Sequence, residues 1–272
     1  MQYDPIKDVL NSLVKRNRLL RKLFYVCLDL FILRQWYIKS AIRRYLNGKG
    51  ELVFYDAGAG FCQYSDFVLC KYKKSKVVAV DLKADYLTAY YSSLSEKDKR
   101  RFSFLEGDLT KYKLKEQKAD CVIAIDILEH IGDDVSVLKN FYSSMHESGY
   151  LIISTPSNFD DSAAFTEEHV RAGYSMDELR EKVTLAGFEI VESKYSYGLF
   201  GRLYWLLIMK NSLVMVKFSR VMFFFLPLYL LLVFVPAVVL MLLDFVSNNK
   251  NGNGIVLVAK KNSSLNYSMP AV

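Results

Sequence analysis

The chain is short of the residues on which metal and disulfide frameworks are built. Among its 272 residues are four cysteines, Cys27, Cys62, Cys70 and Cys121, and no two of them form a C-x-x-C pair. That excludes a disulfide scaffold, argues against structural zinc and fits a reduced cytoplasmic setting; no metal site is expected. Histidine is scarcer still, with three in the chain. Charge is missing altogether from Val221 to Leu243, 23 consecutive residues that are nearly all Leu, Val, Phe and Met. Internal repeats are absent, as is any low-complexity run beyond that apolar stretch. What the chain has is apolar mass: 52% hydrophobic and 14% aromatic residues, which excludes a disordered or fibrous protein and is ample for a core.

The net charge of +7 is concentrated at one end. Residues 1–50 hold eleven Lys/Arg and three Asp/Glu, a balance of +8, so the remaining 222 residues sum to −1. A nucleic-acid-binding domain would carry its excess on the main body, so no nucleic-acid partner is expected. Residues 1–50 read as one or two basic amphipathic helices. At 100° per residue Leu13, Leu20, Phe24, Cys27 and Phe31 share one face, and Lys15, Arg18 and Lys22 lie opposite. Asp29 interrupts the apolar run and no cleavage site follows it, so a secretory signal is a poor reading. The pattern suits a cap helix packed on the domain as well as it suits a helix on an anionic membrane surface.

Residues 51–198 alternate between two periods. Strand-like runs at 52–56, 76–81, 102–106, 119–125, 149–155 and 189–196 are separated by helical runs near 63–72, 85–94, 134–145 and 175–186. This alternation predicts an α/β domain, a parallel sheet wrapped by helices on both faces. A last strand is expected at 254–261, and residues 262–272 read as a polar, disordered tail.

The chemistry-bearing residues fall at strand ends. The first strand runs into Asp56-Ala57-Gly58-Ala59-Gly60 before a helix, a turn that lets backbone approach a ligand at a helix N-terminus. The second ends at Asp81, 21 residues after Gly60, where a carboxylate accepts hydrogen bonds from ribose hydroxyls. Asp108 and Leu109 follow the third, and the fourth leads into Asp126-Ile127-Leu128-Glu129-His130. In this order the four signals resemble the class I S-adenosylmethionine-dependent methyltransferases, and the D-x-L-E-H segment with Ser154-Thr155-Pro156 is similar to their quinone-biosynthesis branch. The resemblance covers about 50–198 and the final strand. It implies a Rossmann-like seven-stranded methyltransferase sheet and S-adenosyl-L-methionine as cofactor. Asp56, Ala57, Gly58 and Gly60 would surround its methionine moiety, Asp81 its ribose, and Asp108 and Leu109 its adenine, with Asp126 completing the site. Cys62 stands where the family loop often has a third glycine. A nicotinamide cofactor fits less well, because its second phosphate needs the full G-x-G-x-x-G cradle.

Methyl transfer from a sulfonium asks chiefly for alignment, with a base where the nucleophile is a hydroxyl. His169, in the connection after the fifth strand, and His130 are the candidate bases; a solvated turn and a structural hydrogen bond are the plain alternatives. Arg171 would hold an anionic group on the substrate, or pair with Glu167.

Residues 199–248 add something a soluble sheet domain does not need. The uncharged run is long enough to cross a bilayer, yet a single crossing would strand residues 254–261 away from their sheet. A monotopic, membrane-embedded insertion at the cytoplasmic face, kinked at Pro227 and Pro236, reconciles the two. Basic residues 15–22 would supply a second anchor. The expected activity is methyl transfer to a lipophilic small molecule or lipid. A non-catalytic membrane-bound assembly partner is the alternative, and a buried hairpin serving as lid or dimer interface is the soluble reading of the insertion.

Overall fold

The computed structural model describes residues 18–114, 117–159, 170–218 and 220–262; most of the tail read at 262–272 lies outside them. Seven strands form one sheet: β1 (Val53–Ala57), β2 (Lys76–Asp81), β3 (Phe102–Glu106), β4 (Ala119–Ile125), β5 (Met145–Pro156), β6 (Phe188–Ser196) and β7 (Gly254–Lys261). Their order is β3-β2-β1-β4-β5-β7-β6, with β7 antiparallel to both neighbours and the other pairings parallel. The central strands are buried on both faces, which explains their unbroken runs of Val, Ile and Ala.

Each face has its own core. Phe54, Val77, Ala79, Ile123 and Ile152 point to one side, under α2 (Leu33–Leu46), α3 (Gln63–Lys71) and α4 (Ala84–Ser92). Tyr55, Val78, Val80, Val122 and Leu151 point to the other, under α5 (Asp134–Ser144) and α6 (Met176–Leu185). The latter two helices start where side chains cap them: Asp133 accepts from the Ser136 amide and Ser175 from the Glu178 amide. Strand order reverses between β1 and β4, so a crevice opens at their carboxyl ends, where ligands bind in open α/β sheets.

The first described helix, α1 (Arg18–Phe31), is rotated from the expected arrangement. Arg21 and Tyr25 are its buried residues, while Leu19, Leu20, Leu23, Val26 and Leu30 are exposed. The reason is a set of charge-assisted hydrogen bonds. Arg21 donates to the Ala89 carbonyl (3.0 Å), the Tyr90 carbonyl (3.4 Å) and the Ser93 hydroxyl at the C-terminal end of α4, where free carbonyls and the helix dipole favour a cation.

The insertion between β6 and β7 is a helical hairpin. Its first arm runs through α7 (Leu199–Trp205), a π-helical segment Leu206–Lys210 and α8 (Asn211–Phe218); its second is α9 (Arg220–Val246). Pro227 and Pro236 both lie inside α9, so the reversal falls between α8 and α9 and not at the prolines. Each proline removes one backbone hydrogen bond, and the helix continues because packing against α7 and the core, through Ala237 and Met241, holds the flanking turns. Both hairpin ends therefore return to the same side of the sheet.

A buried carboxylate fixes the hairpin's base. Asp244, the first acidic residue after Glu192, is fully buried. It accepts from the Tyr37 hydroxyl (2.8 Å), the Tyr197 amide (3.1 Å), the Gly201 amide (3.0 Å) and Asn249 Nδ2 (3.3 Å). Asp244→Ala would remove the acceptor of the buried Gly201 amide and of the half-buried Tyr197 amide, and would leave the Tyr37 hydroxyl only the carbonyl of residue 244. We expect it to lower unfolding free energy by about 2–4 kcal/mol, read by chemical denaturation in detergent; an unchanged midpoint would show that the hairpin base is held by packing alone.

Candidate active site

The loop after β1 is stapled to β2. The Gly58 and Ala59 amides both donate to the Val80 carbonyl, at 2.8 and 3.2 Å, and the Gly60 amide donates to Asp81 Oδ2 at 2.8 Å. Asp81 Oδ1 accepts from the Lys83 amide at 2.9 Å. Asp81 thus shapes the loop as well as facing the crevice, and its two oxygens keep lone pairs for further donors. A side chain at Gly58, where φ is +74°, would overlap Ile127 at 2.2 Å, whereas the space beside Gly60 is open. The loop closes at Cys62, which adopts φ +58°; the left-handed conformation that suits glycine is kept there by a buried cysteine.

Asp56 lies beneath this loop, buried, with Ser65 Oγ donating to it at 2.6 Å. Burial pushes its carboxyl up to about 7, and the Ser65 hydrogen bond opposes that only in part. Ala57 is in the sheet core. Asp108 accepts from the Thr110 amide (2.9 Å) and hydroxyl (2.7 Å), bonds that hold its carboxyl below the usual range. The Leu109 side chain packs into the core and its carbonyl accepts from Asn140, so it supports the loop from below.

Beside the loop is a cavity of about 740 Å³ at the carboxyl ends of β4 and β5. Asp126, Ser154, Thr155 and Pro156 form its floor, Phe31 and Arg34 one wall, and Tyr204, Trp205, Leu206, Met209 and Lys210 of the hairpin another. Asp126 pairs with Arg34 through Oδ2; its Oδ1, Arg34 Nε and the Tyr64 hydroxyl are buried without hydrogen-bond partners. Asp126 also has φ +51°, a conformation uncommon for a non-glycine residue and typical of functional sites. About 35% of the Arg34 side chain is accessible, and Arg34 lines the cavity. Burial lowers its pKa, but the Asp126 carboxylate outweighs that and holds it above the ordinary value. Glu129, buried and accepting from Thr155 Oγ1 at 3.1 Å, is raised by burial and by Asp126.

The expected site residues therefore separate. Asp56, Gly58, Gly60 and Asp81 assemble at one end of the crevice, with Asp108 at the tip beyond β3. Asp126 lines the neighbouring cavity. His130 ends a short 3₁₀ turn, Leu128–His130, and is not among the residues lining the cavity. Arg171 pairs with Asp134, donates to the Ile131 and Gly132 carbonyls at 3.2 Å, and stacks 4.9 Å over the Tyr174 ring. That cluster fixes the start of α5, and Arg171 is not among the residues lining the cavity. His169 lies outside the described residues. Arg34 and Tyr64 were not found from sequence: Arg34 sits in the basic N-terminal segment and Tyr64 in the first turn of α3, with no motif of their own to mark them. No group of three or more His, Cys, Asp or Glu among the described residues is placed to hold a metal ion.

This fold and site define a nucleoside-cofactor-binding α/β transferase. A methyltransferase-domain family model matches residues 48–198, more than half of the chain. The chain belongs to the S-adenosylmethionine-dependent methyltransferases. No curated protein matches its sequence. Among solved structures it is similar to the [4+2]-cyclase SpnF, with 13% identity, TM-score 0.59 and coverage of 83% of this chain and 80% of that one. It is also similar to a sarcosine dimethylglycine methyltransferase of Galdieria sulphuraria, assigned as such only provisionally, with 12% identity, TM-score 0.54 and 83% coverage of each. A third is the N-methyltransferase NodS of Bradyrhizobium japonicum in complex with S-adenosyl-L-homocysteine, with 12% identity, TM-score 0.54 and coverage of 96% and 100%. At these identities the likeness is one of fold.

The residues present fit the cofactor. Open space beside Gly60 admits it, Asp81 can take a ribose diol, and a phosphate-free, cationic ligand suits the acidic pair Asp56 and Asp81. In the unliganded chain Asp56 binds a proton that the unfolded chain releases between about pH 4 and 7, so its burial costs stability as pH rises through that window and fully above it. A cationic ligand needs the carboxylate, so binding should strengthen over the same range. Calorimetric titration with S-adenosylmethionine should give about tenfold weaker affinity at about pH 6 than at about pH 8, with the dependence lost in Asp56→Asn. A flat wild-type profile would remove Asp56 from cofactor binding. Separately, Asp81→Asn keeps an oxygen for the Gly60 amide but loses charge, and should weaken binding by about 1–3 kcal/mol in a protein of near-native melting temperature.

Proposed function

We propose that this methyltransferase acts at the cytoplasmic face of a membrane on a lipophilic acceptor, a lipid or an isoprenoid-like or quinone-like small molecule. One observation carries the reading: the first arm of the hairpin lines the acceptor cavity with Trp205, Leu206, Met209 and Lys210, while its second arm presents an uncovered apolar surface. The segment Phe224–Val246 has 23 residues; its most apolar 18-residue stretch has a mean hydropathy of 2.7, and only 11% of that stretch is buried. Leu231 is 72% exposed and Leu232 70%, whereas a core helix of a soluble protein is mostly covered. At about 1.5 Å per residue α9 is about 40 Å long, and a two-armed hairpin can enter a bilayer and return without parting β7 from its sheet. The four free cysteines suit the reducing side of the membrane.

In this reading the cofactor supplies an electrophilic methyl group already activated on sulfur. The chain's part is alignment and exclusion of water. Phe31, Trp205, Leu206 and Met209 hold the apolar body of the acceptor, and Asp126 Oδ1, which has no other partner, takes a hydrogen bond from its nucleophilic end. Arg34 pairs with the other oxygen, Oδ2, and so orients that carboxylate.

The test changes only exposed positions. A variant carrying Leu228→Gln, Leu231→Gln, Leu232→Gln, Val235→Thr and Val239→Thr should remain folded and bind S-adenosylmethionine as the wild-type chain does in detergent. It should move from the salt-washed membrane pellet to the supernatant, because apolar insertion survives screening by salt, and should lose most methyl transfer to a native membrane lipid extract, followed with radiolabelled cofactor. A wild-type protein that stays in the supernatant without detergent would make the hairpin a soluble lid or subunit interface and end the lipid reading.

A further inference from the structure

The rotated helix α1 has two faces with different tasks. Leu19, Leu23, Val26 and Leu30 lie within an arc of about 60° at 100° per residue, and all four are exposed, Leu19 at 74% and Leu23 at 59%. A row of four leucine-sized apolar side chains left in water on one helix face is costly and marks a docking surface. The opposite face is committed inward. Tyr25 Oη donates to the Phe61 carbonyl at 2.5 Å and the Phe24 ring meets the Phe61 ring edge-on at 5.3 Å. Phe61 is part of the cofactor loop, directly after Gly60, and its ring touches Tyr86 of α4 at 5.0 Å. Arg21 holds the end of that same α4 through the Ala89 and Tyr90 carbonyls. The inner face of α1 thus clamps the loop after β1 and the helix after β2, the two elements between which the cofactor lies.

What covers the outer face follows from charge and continuity. Arg18 and Lys22 are exposed beside the stripe, and Asp29, the one acid in α1, is paired with Lys39, so the surface is apolar with a cationic margin. At its end the helix runs into the hairpin: the Phe31 ring lies 5.9 Å from Phe234 of α9, and the Tyr204 hydroxyl donates to the Phe31 carbonyl. The stripe is apolar with cations along one margin, and its helix joins the hairpin at Phe31, so α1 and the exposed side of α9 belong to one packed unit; an apolar face with a cationic margin is the pattern that an anionic bilayer complements.

We propose that the outer face of α1 docks on anionic lipid and that this docking tightens the cofactor site. The inference rests on the membrane reading of the hairpin. A helix laid on a bilayer holds Tyr25 and Arg21 in the positions that close the cofactor loop, so the ordering cost of that loop is met before the cofactor binds. Two events that favour the same arrangement of one element are coupled, and the coupling raises affinity without any contact between lipid and cofactor. The protein thereby binds its cofactor most tightly where its lipophilic acceptor is, and more weakly when detached.

The test uses the full chain in detergent, in nanodiscs of phosphatidylcholine, and in nanodiscs of phosphatidylcholine with phosphatidylglycerol, with S-adenosylmethionine affinity measured by calorimetry. Affinity should be about five-fold or more tighter in the anionic discs than in detergent. A Leu19→Asn/Leu23→Asn/Val26→Asn variant, altered only on the outer face, should incorporate into discs through the hairpin and bind the cofactor with the detergent value in all three. Wild-type protein that enters the discs and shows one affinity throughout overturns the inference and leaves the membrane reading standing. So does a triple variant that keeps the full enhancement. Failure of the wild-type chain to enter discs at all overturns both.

Discussion

A single buried carboxylate ties the extra parts of this protein to its sheet. Asp244 ends an apolar run in which every other residue is uncharged, and it receives donors from α2, from the turn after β6 and from the segment before β7. Burying an ion is expensive unless its hydrogen-bonding capacity is filled, and four donors from three directions fill it. The position of the hairpin relative to the crevice is therefore not adjustable by sliding: any shift of α9 along its axis unpairs a buried charge. Trp205 and Met209 stay in the cavity wall because Asp244 holds Gly201, at the start of the arm that carries them.

The two halves of the site obey different physics. On the cofactor side polar groups are nearly all satisfied, with backbone amides of the glycine loop bonded to Val80 and Asp81, so the loop is preorganised for a ligand of fixed shape. On the acceptor side the polar atoms of Arg34, Tyr64 and Asp126 are buried and in part unpaired within largely apolar walls. Buried polar atoms without partners are costly, and a ligand that supplies those partners is recognised by what it repairs. Apolar walls select bulk, and the few unpaired atoms select orientation.

Much of this was legible in the sequence, for identifiable reasons. The sheet was readable because parallel strands buried on both faces must be continuously apolar, as in Val77-Val78-Ala79-Val80, and because their carboxyl ends carry the acids Asp56, Asp81 and Asp108. An apolar insertion was readable from its length and its missing charge, but its hairpin form was not: a kink was expected at the prolines, and at Pro227 and Pro236 packing outweighed the lost hydrogen bonds. In α1 the expected face is met at Phe24 and Phe31, which pack against the core, and Arg18 and Lys22 are exposed; Leu20 is turned out because Arg21 finds the free carbonyls of α4. Arg34 and Tyr64 were invisible, since their role comes from neighbours distant in sequence. Arg171 lay close to the expected position in the chain and turned out to face Asp134, a contact no local pattern encodes.

The place of β7 in the sheet has a bearing on how the protein is made. β6 pairs only with β7, and β7 lies between it and β5, so during synthesis β6 has no partner until residues 254–261 have emerged. The hairpin is complete by Val246, before that final strand exists. An apolar surface of this size therefore appears on an unfinished domain whose sheet edge is still open, the condition under which nascent chains aggregate. A lipid surface that takes up the hairpin at that moment would remove the more dangerous of the two exposed surfaces and leave β7 only one task, to zip the last two strands together.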